Sequence, residues 1–139
     1  MTVEQNKVLI GRLFEMVFNQ VKLEALDEIC TPNFVLETPG VPTSKGIKDG
    51  VESFKQRIIS YSTAFPDIKY TIDNTVAEDT MIAVGFSFSG THKGEFLGIA
   101  PTGKKVTATE LCFAHVANGK ISDLRFAPYG TPINVLLAA

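Results

Sequence analysis

The sequence predicts an α+β domain in which N-terminal helices pack on the concave face of a curved antiparallel sheet. Three observations carry that expectation. Apolar residues recur at helical spacing through the first half of the chain, and from Ile68 onward they alternate at period two. Gly90 to Val106 packs four glycines and Pro101 between two apolar runs, which marks a long, shaped connection between strands. Helices followed by hairpin-linked strands is the order of a sheet covered on one face, and the covered side leaves room for a cavity.

Thr2-Val3-Glu4-Gln5 has capping-box form, with Thr2 as N-cap and Gln5 three residues on. Val8, Leu9, Leu13, Met16 and Val17, widened by Phe14 and Phe18, then predict a helix of roughly five turns. Leu23 to Cys30 reads as a second, short helix stopped at Thr31-Pro32. Phe34 to Glu37 reads as a short strand ending at Thr38-Pro39-Gly40. A third helix is expected from about Ile47 to Thr63, with Val51, Phe54, Ile58 and Tyr61 on one face. Ile68, Tyr70, Ile72 and Val76 are expected to share one face of the next strand. Met81 to Ser89 follows, with Ile82, Val84, Phe86 and Phe88 on its apolar side. Val106 to Val116 and Ile121 to Phe126 complete the set, joined by the turn Ala117-Asn118-Gly119-Lys120.

The 139 residues fit a single domain spanning 1–139. Thirteen basic against 15 acidic residues leave a net charge of -2 without a basic run, so no nucleic-acid partner is expected. No stretch approaches the ~20 apolar residues of a membrane span, and no signal peptide is read, so a cytoplasmic protein is expected. Cys30 and Cys112 have neither metal spacing nor disulfide density, and both are expected to be reduced and buried.

Gly90-Thr91-His92, Gly94-Glu95-Phe96, Gly98-Ile99 and Pro101-Thr102-Gly103 together resemble the long loop of SnoaL-like polyketide cyclases, which adopt the nuclear-transport-factor-two-like cone. Phe14 to Gln20, Leu26-Asp27-Glu28, Pro32 to Val35, Ala64-Phe65-Pro66-Asp67 and Asn118 to Ile121 resemble the same family in the same order. The resemblance implies a cone with an internal hydrophobic pocket, a homodimer, and proton-transfer chemistry by carboxylates and hydrogen bonds with no metal or organic cofactor. It also implies relatives that isomerise, dehydrate, open epoxides or merely bind. Members often carry a His-Trp pair after the last turn and then a catalytic aspartate. Here Leu124-Arg125 and Tyr129 stand at those places, and a phenol with a reference pKa near ~10 does not shuttle protons as a carboxylate does.

Strand parity nominates other groups. Val106, Ala108, Glu110, Cys112 and Ala114 share a face that, by analogy with isomerases of this fold, points into the cone. Glu110 would there be a desolvated carboxylate suited to acid/base work, or else a surface group pairing with Arg125. Glu37 and His92 are the candidate catalytic partners. Glu37 has a solvated strand end as its alternative, and His92 a loop-fixing role. Arg125 and Tyr129 share parity and are expected inward, to hold an oxyanion or to form an internal salt bridge. Cys112, Tyr61 and Phe14 are expected to line the pocket. Asp123 is expected at the solvent side and His115 on a sheet face or interface. The function expected is acid/base catalysis on a hydrophobic, carbonyl-bearing small molecule, most naturally an aldol-type ring closure. A non-catalytic ligand-binding cone and an epoxide-opening, dehydrating or isomerising enzyme are the alternatives.

Overall fold

Thr2 caps the first helix as expected: its hydroxyl accepts from the Gln5 N–H at 3.1 Å while Gln5 Oε1 accepts from the Thr2 N–H at 2.9 Å. In the computed structural model, which describes residues 2–37 and 50–138, α1 covers Val3–Arg12. It runs on into π-helical turns over Leu13–Asn19. The wider turns close with a Gln20 N–H to Glu15 carbonyl bond of 3.1 Å, and the chain leaves through Val21 at φ 55°. π-helical insertions commonly accompany functional sites. This one delivers Phe18 to a cavity and sets Asn19 against the sheet edge. The Asn19 carboxamide takes both the N–H (2.7 Å) and the carbonyl (3.0 Å) of Tyr70.

The second helical segment is a 3-10 turn, Leu23–Ala25, followed by α2, Leu26–Ile29. It ends one residue earlier than expected, because Cys30 already has extended backbone and opens β1, Cys30–Glu37. Thr31 and Pro32 therefore lie within a strand rather than ending a helix. Pro32 is tolerated because β1 is an edge strand with a register break between Cys30 and Val35. The expected turn at Thr38-Pro39-Gly40 and the helix start at Ile47 fall outside the described residues. Within them α3 covers Gly50–Ala64, with Phe54 and Ile58 buried.

The remaining strands are β2 (Lys69–Ala77), β3 (Met81–Thr91), β4 (Lys105–Ala117) and β5 (Lys120–Pro128). Strand order is β1-β5-β4-β3-β2. All pairings are antiparallel except β1 with β5, which run parallel, so the sheet is mixed at that edge. The β4–β5 turn has Asn118 at φ 53° and Gly119 at φ 77°, the mirror-image turn that matches strand twist. In β2 the register slips between Ile72 and Asn74. The extra residue reverses the side-chain alternation, so Val76, expected on the face of Tyr70 and Ile72, is instead 67% exposed. The short helix α4, Ile133–Ala138, buries Ile133 and Leu137.

Ile82, Val84, Phe86 and Phe88 of β3 and Val106, Ala108, Cys112 and Ala114 of β4 form one buried face, as the alternation predicted. The helices close over that face and complete the core. Phe54 anchors the junction, with its ring centroid 5.5 Å from Phe34, 5.8 Å from Phe18 and 6.4 Å from Phe126. No helix among the described residues is long and apolar enough to cross a membrane.

Candidate active site

Six elements converge on a cavity of about 30 Å³ between α3 and the inner face of the sheet. Helical spacing puts Phe54, Arg57, Ile58 and Tyr61 on one side of α3 facing it. Tyr70, Phe86, Phe88, Glu110 and Phe126 line it from the sheet, and Phe18 from the π-helical turns. A volume that small admits a few heavy atoms.

Glu110 is mid-strand on β4, paired across to Phe86 and Pro128. It is the carboxylate among the described lining residues, in the inward position that parity predicted. Burial among aromatic rings pushes its acidity weaker than an ordinary glutamate, and the Arg57 guanidinium opposes that shift. Arg57 lies over two rings, 5.1 Å from the Phe126 centroid and 5.8 Å from that of Tyr61. Burial raises the Tyr61 phenol too, partly offset by the charge of Arg57. The Tyr70 phenol is pushed far above its ordinary value by burial. Both tyrosines are therefore neutral hydroxyl donors at any working pH.

The other nominated residues fall elsewhere. Cys112 is inward and fully buried, but it sits behind the cavity wall, and burial pushes its thiol up so that it stays protonated. Phe14 packs behind the lining too, 4.7 Å from Phe18 and 5.0 Å from Phe86. Tyr61 lines the cavity as expected.

Arg125 and Tyr129 face the opposite way from expectation. The β4–β5 register slips between His115 and Val116, so Leu124 and Phe126 take the inward places. Arg125 instead points out and pairs with Glu37, Nη2 to Oε2 at 2.7 Å and Nε to Oε2 at 2.8 Å. Glu37 is beside it because β1 aligns Glu37 with Arg125. This exposed pair contributes little to stability, typically under ~1 kcal/mol. Tyr129 is 59% exposed beyond the end of β5. His115 and Asp123 form a second outer-face pair at 2.8 Å.

His92 is fully buried in the long loop. Its Nδ1 accepts from the Thr102 N–H at 3.2 Å and lies 3.0 Å from the Thr102 hydroxyl. Its backbone exchanges bonds with Lys104 and Gly103 across the loop base. The loop-fixing alternative describes this placement; Nε2 has no partner among the described residues.

The loop in turn locks onto the end of α3. The Lys93 and Gly94 N–H groups both donate to the Ala64 carbonyl, satisfying a helix-terminal acceptor. A Cβ on Gly94 would stand 2.6 Å from the Thr63 carbonyl oxygen, so only glycine permits that approach. Asp67 accepts from the Thr91 N–H at 2.7 Å and from its hydroxyl at 2.9 Å. These bonds, the backbone one foremost, hold the Asp67 carboxyl below its usual range. A group so depressed contributes stability above its unfolded pKa of ~3.9 and loses it as pH falls through the lower folded value. Melting temperature should therefore decline less steeply between pH 5 and pH 2 in Asp67→Asn than in the wild type, and parallel declines would refute the coupling.

Sequence reading missed Arg57 and Tyr70 as site residues. Arg57 was within reach of it, three residues after Phe54 and four before Tyr61 on a face already recognised. Tyr70 had the right parity but no distinguishing motif.

The family model for SnoaL-like polyketide cyclases matches residues 8–126. Among solved structures, AclR from Streptomyces galilaeus, a proposed hydroxylase, is similar at TM-score 0.83 and 21% identity, over 99% of this chain and 83% of that one. A proposed SnoaL-like polyketide cyclase from Jannaschia sp. CCS1 is similar at TM-score 0.82 and 22% identity, over 98% and 91%. IdmH from Streptomyces antibioticus, a proposed polyketide cyclase, is similar at TM-score 0.79 and 26% identity, over 96% and 98%. No curated protein matches the chain.

Proposed function

The chain belongs to the SnoaL-like polyketide cyclase family, and on that footing we propose that it is a cofactor-independent acid/base enzyme acting on a hydrophobic, carbonyl-bearing small molecule. The observation that carries this reading is Glu110, a carboxylate of weakened acidity on the wall of an aromatic cavity. Such a group takes a proton from the carbon next to a carbonyl near neutral pH. The C–H electron pair moves to the carbonyl oxygen, where Arg57 or a tyrosine hydroxyl stabilises the enolate. Attack of that enolate on a second carbonyl of the same molecule would close a ring, the aldol-type step of a cyclase.

Epoxide opening by two carboxylates sharing a water receives less support, because Glu37 is bound to Arg125 on the outer face while Glu110 points inward. Two further parts of the reading rest on the family and on placement. Met81, Leu111 and Phe113 leave apolar area on the outer sheet face, which supports its burial by a second copy in a homodimer. Free, buried Cys30 and Cys112 suit a reducing cytoplasm.

Hydrogen–deuterium exchange at the α-carbon of simple methyl ketones, followed by NMR, tests the reaction class. Protein-catalysed exchange should rise with pH along a limb whose midpoint lies above the ordinary glutamate range. No exchange above buffer, or a midpoint at or below that range, would remove the proposal's support.

A further inference from the structure

The cavity holding Glu110 is about 30 Å³, far too small for a ring-forming substrate of any length. Beside it lies a groove of about 720 Å³, lined by Ile59, Ser60 and Thr63 on α3 and by Glu95, Phe96, Leu97 and Gly98 on the long loop. The two spaces share Arg57 and Tyr61 as common wall. The Tyr61 ring is held edge-on between Phe88 of the cavity, 5.7 Å away, and Phe96 of the groove, 4.9 Å away. The chain invests in that groove. Phe96 and Ile99 exchange two backbone bonds of 3.0 and 2.8 Å, closing a tight turn whose tip is Leu97 at φ 50° and Gly98 at φ 79°. Left-handed backbone is unfavourable for leucine, yet here it presents a side chain 74% exposed on the groove wall.

Building on the acid/base reading above, we infer that the site has two compartments. The reacting carbonyl end of the substrate enters the small cavity past Arg57 and Tyr61, and an extended apolar remainder lies in the groove under Leu97 and against Ile59. The occupant is thus an elongated, predominantly apolar carbonyl compound, and the loop tip selects its length. The two spaces meet at Arg57 and Tyr61, and among the described cavities the groove is the one that shares its wall with the Glu110 cavity.

Methyl ketones from 2-butanone to 2-nonanone serve as probes, with affinity read by calorimetry and α-proton exchange by NMR. The dissociation constant should fall with each added methylene, by up to about fourfold where the methylene is fully buried. Leu97→Ser and, on the opposite wall, Ile59→Ser should each flatten that dependence and weaken 2-nonanone binding by roughly three- to tenfold. Val76→Ser, which removes an exposed apolar side chain from β2, away from the groove, should leave the dependence as in the wild type. Equal dependence in Leu97→Ser, Ile59→Ser and wild type would overturn the groove assignment, as would equal flattening in Val76→Ser. Length-dependent binding that is lost in Leu97→Ser but accompanied by no exchange would sustain the groove and sink the acid/base reading. Exchange without length dependence would do the reverse.

Discussion

Glu110→Gln is expected to lower ketone exchange by about 10²- to 10⁴-fold, the usual contribution of a positioned acid/base group, while making the protein more stable at pH 8. The two effects share one cause. Burial makes the ionised carboxylate costly, so folded Glu110 holds its proton more tightly than unfolded Glu110 does. Stability from this group is then fully present below the unfolded pKa of ~4.3 and is lost as pH rises through the raised folded value. Glutamine has nearly the same shape and no charge, so its melting temperature should exceed the wild type's at pH 8 and converge with it near pH 4. Arg57 partly stabilises the ionised form, and Arg57→Met should move the rising limb of the exchange profile to higher pH. Retained exchange in Glu110→Gln would remove Glu110 from the reaction. Equal melting temperatures at pH 8 would instead show that the carboxylate is not strained by burial.

Local periodicity explains which parts of the site were legible. Glu110 was, because β4 keeps an unbroken alternation from Val106 to Val116 in which one odd polar residue stands out against apolar neighbours. Arg125 and Tyr129 were not, because a single slip of register in the β4–β5 pairing reverses every side chain beyond it. Its trace is the odd spacing between Ile121 and Leu124, the two buried residues that flank the slip. The slip in β2 hid Val76's exposure in the same way. The family-specific loop is legible as a motif, yet its reason is tertiary: Thr91 meets Asp67, and Gly94 meets the end of α3. Those contacts join residues 24 apart for Thr91 and Asp67 and 30 apart for Gly94 and Ala64, and they leave no periodic signal. Arg57 is hidden for a different reason. A basic residue on an apolar helix face reads as a solvated side chain until the two rings beside it are known to be Tyr61 and Phe126.

Gly50→Ala should cost about 3 kcal/mol, at the upper end of overpacking effects, although alanine is the better helix former by about 1 kcal/mol. Gly50 begins the described part of α3 where it crosses β1. A Cβ there would overlap the Phe34 carbonyl oxygen and approach its carbonyl carbon to 2.9 Å. Both obstructing atoms belong to the β1 backbone, so neither can swing aside as a side-chain tip would. Relief requires α3 to lift from β1, and that disturbs the stacked Phe34–Phe54 pair, whose planes lie 17° apart. Phe54 lines the Glu110 cavity, so exchange activity should fall together with stability. Gly11→Ala in α1 supplies the contrast, since a Cβ there meets nothing within 4 Å. That variant should gain roughly 0.5–1 kcal/mol from helix propensity alone. Urea denaturation of the two variants reads both signs in one experiment. If Gly50→Ala proved as stable as Gly11→Ala, the close approach of α3 to β1 that shapes the cavity would be refuted.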